Sequence, residues 1–274
     1  MLIIALCCCT SCDDDTPPEV SSSRLVVEGW IADGEFPIVI VTSTVPISEI
    51  DMPLNSLEQY VAQWARVGVC CEGDTVFLTG LYNSNYFPPY IFTTSSMRGR
   101  SGKEYKLIVD WHGMHAEAVT TIPSVVPIDS IWSEPCPDYL LFRQPYIRFQ
   151  DSPLQKDYYI LFSYRQGEPR NPQLCMYGVC DDASLTDSVV VFPVRRGGII
   201  YEEDFNTYYA VNDTVEISLA HVEGICYAFW QAFESRKRFT HSLLFNVSTP
   251  LNGNVQGAYG IWYGCGISRK IIYL

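Results

Sequence analysis

Short runs of β-prone apolar residues, broken by turn residues, make up most of this chain. Arg24-Leu25-Val26-Val27-Glu28-Gly29-Trp30-Ile31 is the first, Asp33-Gly34 is a turn signal, and Pro37-Ile38-Val39-Ile40-Val41-Thr42 is the second. Leu54, Leu57, Val61 and Trp64 fit a helical period, yet Trp64-Ala65-Arg66-Val67-Gly68-Val69 also alternates as a strand. The reading here is a loop with a helical turn, then a strand from about residue 64. Thr75–Leu78, Tyr105–Asp110 and Glu117–Ile122 continue the series. Six or seven strands within about 100 residues predict an immunoglobulin-like or transthyretin-like sandwich over residues 24–123. Ile122-Pro123-Ser124-Val125-Val126-Pro127 reads as a boundary, because two prolines disfavour regular pairing and stiffen a connector. Residues 124–274 predict a larger β-rich domain, with strands at Tyr146–Phe149, Tyr158–Tyr164, Ser188–Phe192, Thr214–Ser218 and Lys270–Leu274. One helix is predicted over 222–239. Val222, Ile225, Phe229 and Phe233 share a face there with Trp230 adjacent, and Arg236-Lys237-Arg238 suits the dipole of the last turn.

Composition agrees with that picture. The chain has 274 residues, of which 47% are hydrophobic and 18% charged, a balance that fits a sizeable core. Aromatics at 14%, with 18 Tyr, 17 Pro and 18 Gly, favour strands and turns over helices. The net charge of -13 is spread along the chain without a basic stripe, so nucleic acid is not an expected partner.

The N-terminus carries a different signal. Leu2–Cys9 is an apolar run of eight residues, too short to span a bilayer and suited to the core of a secretory signal peptide. It ends at Cys9-Thr10-Ser11-Cys12, which resembles a bacterial lipobox. On that resemblance residues 1–11 are a lipoprotein signal peptide and Cys12 is the lipid attachment point. Asp13-Asp14-Asp15-Thr16-Pro17-Pro18 and Ser21-Ser22-Ser23 complete an acidic, Ser- and Pro-containing tether over 12–23.

Three longer stretches carry a family resemblance. "LVVEGWIADGEFPIVIVT" looks like the start of the DUF4249 family of predicted Bacteroidota lipoproteins. "SGKEYKLIVDWHGMHAEAVTTIPSVVPIDSI" is similar to that family's Gly–Tyr–Leu strand, its alanine-threonine strand and its proline boundary. "LLFNVSTPLNGNVQGAYGIWYGCG" resembles its closing segment. The resemblance implies a secreted, lipid-anchored, two-part β-rich protein on the outer membrane, exposed at the cell surface and associated with a TonB-dependent transporter. It supplies no catalytic residues, and this chain is richer in cysteine than the family pattern.

Several constellations bear on chemistry. After Cys12 there are Cys70, Cys71, Cys136, Cys175, Cys180, Cys226 and Cys265. An oxidising location permits disulfides. Cys175-Met-Tyr-Gly-Val-Cys180 is the best pair, because Gly178 allows a turn that brings the sulfurs together. Cys70-Cys71 lacks the spacing of a zinc site. His112-Gly-Met-His115 reads as a pair of exposed loop histidines, so no metal and no cofactor are expected. No G-x-S-x-G, H-E-x-x-H, P-loop or dinucleotide fingerprint occurs. Asp181-Asp182 and Glu202-Glu203-Asp204 read as solvated loops, and no enzyme is expected. In Asn83-Ser84-Asn85-Tyr86-Phe87-Pro88-Pro89-Tyr90 a polar, Pro-containing loop holds three aromatics. Tyr86, Phe87 and Tyr90 are either ligand contacts or a cover for the sandwich edge. Gly257, Gly260, Gly264 and Gly266 imply tight turns or close backbone approach. The resulting expectation is a non-catalytic surface lipoprotein that binds a glycan or peptide beside a transporter. The alternatives are a structural or adhesion lipoprotein and a hydrolase with an unrecognised site.

Overall fold

The computed structural model describes residues 23–45, 58–136, 139–152, 156–168, 173–181, 188–197, 206–239 and 251–274. Cys12 and the tether lie outside the described residues, as do Asp182 and Glu202-Glu203-Asp204. The fold is mainly β and sandwich-like, with a single described helix.

The strands are β1 Leu25–Ala32, β2 Ile38–Ser43, β3 Arg66–Cys71, β4 Asp74–Phe77, β5 Thr79–Tyr82, β6 Tyr90–Thr93, β7 Glu104–Trp111 and β8 Met114–Thr121. They continue with β9 Ile128–Cys136, β10 Tyr139–Gln150, β11 Tyr158–Arg165, β12 Gln173–Asp181, β13 Val189–Pro193, β14 Tyr209–Ala210 and β15 Thr214–Val222. Helix α1 spans Gly224–Phe239, and β16 spans Tyr259–Tyr273. Of the ambiguous stretch before β3, Leu54 and Leu57 lie outside the described residues, a helical turn is present at 58–60, and Trp64 is almost fully exposed ahead of the strand.

An eight-stranded sheet in the order β12-β11-β15-β16-β1-β2-β6-β5 is the central layer. On one face two smaller sheets lie beside each other. The sheet β4-β3-β7-β8 packs on Leu25, Val27, Val39, Val41 and Trp262. The sheet of β13, β10, β14 and β9 packs on Tyr159, Leu161, Val215, Ile217 and Leu219. The register fixes which face is which: Val27 pairs with Gly260, and Gly266 with His221, so the two cores share one side of the large sheet. Helix α1 lies on the opposite side.

Pro123–Pro127 falls, as read, in the connector between β8 and β9. The large sheet nevertheless takes strands from both sides of that connector, because β16 inserts between β15 and β1 and runs parallel to β1. The glycine-rich stretch is therefore more than a turn. Gly257 makes the turn at φ 80°, and the strand then starts at Tyr259 and runs far beyond the expected Lys270–Leu274. Gly260 and Gly264 lie where other backbone presses on β16. A Cβ on Gly260 would sit 1.8 Å from Val27 O, and one on Gly264 would sit 2.5 Å from Thr121 O. Asn254 fastens the entry to this strand: its Oδ1 accepts from Trp262 N at 2.9 Å, and its Nδ2 donates to Trp262 O at 2.7 Å and Val119 O at 3.0 Å. Trp262 is fully buried and donates from Nε1 to Tyr105 O at 3.0 Å.

Polar groups close the seam above the connector. His221 contacts Ser124 O through Nδ1 at 2.8 Å and Asp157 Oδ1 through Nε2 at 3.2 Å, with both side chains about 5% exposed. The Glu223 carboxylate accepts from Thr120 Oγ1 at 2.6 Å and Thr121 N at 2.9 Å, and the Glu223 carbonyl accepts the first helical N–H groups of α1. An acidic residue at a helix start also suits the dipole there.

The apolar face of α1 differs from the expected one. Cys226 is buried and Trp230 packs on the sheet, whereas Ile225 and Phe233 stay substantially exposed. The expected stripe had started from Val222, which ends β15, so the true stripe is turned by about one residue. Among the described residues no helix is long and apolar enough to cross a membrane.

Candidate functional site

Strand β1 alternates, so Leu25, Val27 and Ile31 enter the core while Val26, Glu28 and Trp30 face the side of the sheet that carries α1. Parallel pairing sets Trp30 beside Tyr263, and their rings stack with centroids 6.4 Å apart at 27°. The β5–β6 loop brings Tyr86 to Trp30 at 6.0 Å, and α1 brings Trp230 edge-on to Tyr263 at 6.4 Å. Trp230 in turn meets Phe162 at 5.8 Å and Phe233 at 5.5 Å. A continuous aromatic band thus crosses the outer face of the sheet from the β5–β6 loop to the helix.

Glu28 stands on this face, one strand repeat from Trp30. Its cross-strand neighbours are Ile40 and Ile261, which have no polar side-chain atoms. Glu28 is exposed as a residue, and desolvation by the protein around it raises its carboxyl above the ordinary value. The Arg24 guanidinium lies on the same side of β1 but donates to Tyr259 Oη at 2.9 Å and lies over that ring at 5.4 Å. Tyr263 is buried, and burial, two neighbouring thiols and Glu28 push its phenol well above the ordinary value. The arrangement is an accessible acceptor flanked by aromatic rings, suited to non-covalent recognition of a donor group on an apolar frame.

The structure separates the three aromatics of the loop. Tyr86 joins the band on Trp30. Phe87 is about half exposed and belongs to no ring contact among the described residues. Tyr90 covers the sandwich edge: it meets Phe92 edge-on at 5.6 Å and donates from Oη to Gln63 O at 3.2 Å. Glu28, Trp30, Tyr263 and Trp230 were missed as site residues. The signal for the first two was present as a charged and an aromatic residue at i and i+2 of one strand. Tyr263 and Trp230 come from distant segments whose pairing the local pattern does not encode.

The bridge expected between Cys175 and Cys180 is not formed in this structure, where all seven described cysteines are thiols. The physical reason is that Gly178 sits in a bulge and not in a reversal: Tyr177 takes φ 60°, and β12 continues through both cysteines. Both are buried in one core cluster, and burial pushes the Cys175 thiol up to about 12. Among the described residues no three His, Cys, Asp or Glu side chains group as a metal site.

His112 occupies the β7–β8 turn at φ 47°, while His115 lies within β8 and faces Asp110 Oδ1 from Nδ1 at 2.7 Å. The hydrogen bond and charge of Asp110 raise the His115 pKa above its usual 6.5. Because the folded value is the higher one, this contribution to stability is complete below the unfolded pKa and is lost as pH rises through the folded pKa. An NMR titration should place His115 above 6.5, and Asp110→Asn should lower it; an unchanged value would show that the pair does not form in solution.

The model of one protein family, Domain of unknown function (DUF4249), matches residues 12–271. No curated protein matches the chain.

Proposed function

We propose, for a chain that belongs to the DUF4249 family, that it works as a non-catalytic surface lipoprotein, an accessory or ligand-binding subunit of a TonB-dependent outer-membrane transporter. The observation that carries the binding part is the accessible, partly desolvated Glu28 carboxylate within the Trp30–Tyr263–Tyr86 aromatic band. Desolvation disfavours ionisation of such an acidic group, and a ligand that meets its charge offsets that cost. The anchoring part rests on the Cys9–Cys12 segment and the acidic tether that follows it. The acyl chain on Cys12 holds the β body at the outer membrane, outside the cytoplasm. Glycan and peptide remain the two ligand classes.

Co-purification from native membranes in mild detergent tests the role. Recovery with a transporter barrel supports it, as does loss of membrane attachment in Cys12→Ala. Recovery without any barrel, where other transporter complexes stay intact, counts against it.

A second reading has its own observation. At the β9–β10 end, Tyr139, Leu140 and Leu141 are 53%, 90% and 75% exposed, and Tyr273 nearby is 80% exposed. Val211 N donates to Leu141 O, and Asn212 N donates to Leu274 O, so these segments form one end of the molecule. Exposed apolar side chains grouped in this way favour a structural lipoprotein that docks other surface proteins. A ligand-free pull-down that loses its partners in Leu140→Asp/Leu141→Asp would favour this reading over the first.

A further inference from the structure

The surroundings of Glu28 discriminate among ligand chemistries. An anion is excluded by the carboxylate itself. A glycan presents many hydroxyl groups, and each one desolvated needs a partner. Among the described residues the cross-strand neighbours of Glu28 supply none: Ile40 and Ile261 are apolar and buried, and Trp30 follows on the same face. The Arg24 cation on this side of β1 is engaged by Tyr259. What the face does supply is one negative charge and the faces of several aromatic rings, whose quadrupoles also favour positive charge.

We propose that the Glu28 face binds a small organic cation of the alkylammonium class, the carboxylate meeting the charge and the half-buried rings of Trp30 and Tyr86 meeting its alkyl groups. The inference rests on the ligand-binding reading above and deepens it. An alkylammonium has one charge and an otherwise apolar surface, which matches a site with one acceptor group in an apolar and aromatic frame. The same chemistry occurs in a quaternary choline head and in the primary amine of a lysine side chain. The net charge of -13 adds long-range attraction for such a ligand.

The test uses the full detergent-solubilised chain, with tryptophan fluorescence and calorimetry as readouts. The probes are choline, N-acetyl-lysinamide and the uncharged choline isostere in which carbon replaces nitrogen. At least one of the two cations is expected to bind, with the isostere at least about tenfold weaker than choline if choline is the better ligand. The stronger of the two cations identifies the quaternary or the primary head. Glu28→Gln is expected to weaken that cation at least about tenfold, with the thermal melt confirming a folded protein. Trp30→Leu is the second variant and should weaken cation binding as well. Equal binding of choline and its isostere, an unaffected Glu28→Gln, or no binding of either cation at millimolar concentration would each overturn the inference. Glycan binding that Trp30→Leu abolishes, in the absence of cation binding, would overturn it while leaving the ligand-binding reading intact. Failure to recover a transporter bears on the transporter role alone.

Discussion

Replacing His221 with alanine is expected to destabilise the fold by about 2–5 kcal/mol, the usual consequence of opening a cavity and breaking hydrogen bonds at a buried side chain. In thermal unfolding this corresponds to a drop in melting temperature on the order of 10 °C. The imidazole is buried in the large sheet and fills two roles. Nδ1 faces Ser124 O at 2.8 Å, tying β15 to the connector, and Nε2 faces Asp157 Oδ1 at 3.2 Å. Alanine would remove the contact to Asp157 and the packing on Tyr159, whose ring lies 5.4 Å from the imidazole. A double replacement, His221→Leu with Asp157→Leu, should recover part of the loss, because two apolar side chains refill the volume and remove both polar groups together. Urea unfolding monitored by circular dichroism measures both. A loss below about 1 kcal/mol for His221→Ala would mean that the pair is solvated and carries no such role.

Gly260→Ala is the second large effect, with an expected loss of about 4 kcal/mol or more from overpacking and backbone strain together. The residue has φ 116°, which an L side chain rarely adopts, and its new methyl would stand 1.8 Å from Val27 O. The obstructing atom is backbone of the paired strand, so no side-chain rotation relieves it. Gly264→Ala should be milder, on the order of 1–3 kcal/mol. Its φ is ordinary, but Thr121 O at 2.5 Å and Ile122 N at 2.9 Å would have to move. Equilibrium unfolding of the two variants should preserve that order. A Gly260→Ala protein as stable as the parent would show that β1 and β16 do not approach as described.

These two sites mark the limit of what local pattern reveals. β1, β2, β7 and β8 were legible because their β-prone apolar residues cluster within a few positions between turn residues, and Pro123–Pro127 does fall between strands. β16 was not legible as one strand. Its glycines have low intrinsic strand preference, and only the backbone pressing on them from β1 and β8 explains their presence. The helix existed where expected, but its inward face depended on where β15 stopped, and that end is set by pairing with β11 and β16. At the candidate site, Glu28 and Trp30 lay in plain view within one strand. Their meaning depended on Tyr263 and Tyr86, brought alongside by parallel pairing and by the β5–β6 loop. Nothing periodic in the chain announces such a meeting.

The place of β16 has a consequence for how the molecule comes into being. The strand made last among those described fills the slot beside the strand made first. Until it emerges from the ribosome, β1 and β15 each present an unsatisfied row of N–H and C=O groups to whatever is nearby. Contacts so distant along the chain also form slowly. A polypeptide of this kind cannot close its central sheet until its tail has been synthesised, so the sheet is completed only after the whole chain is made.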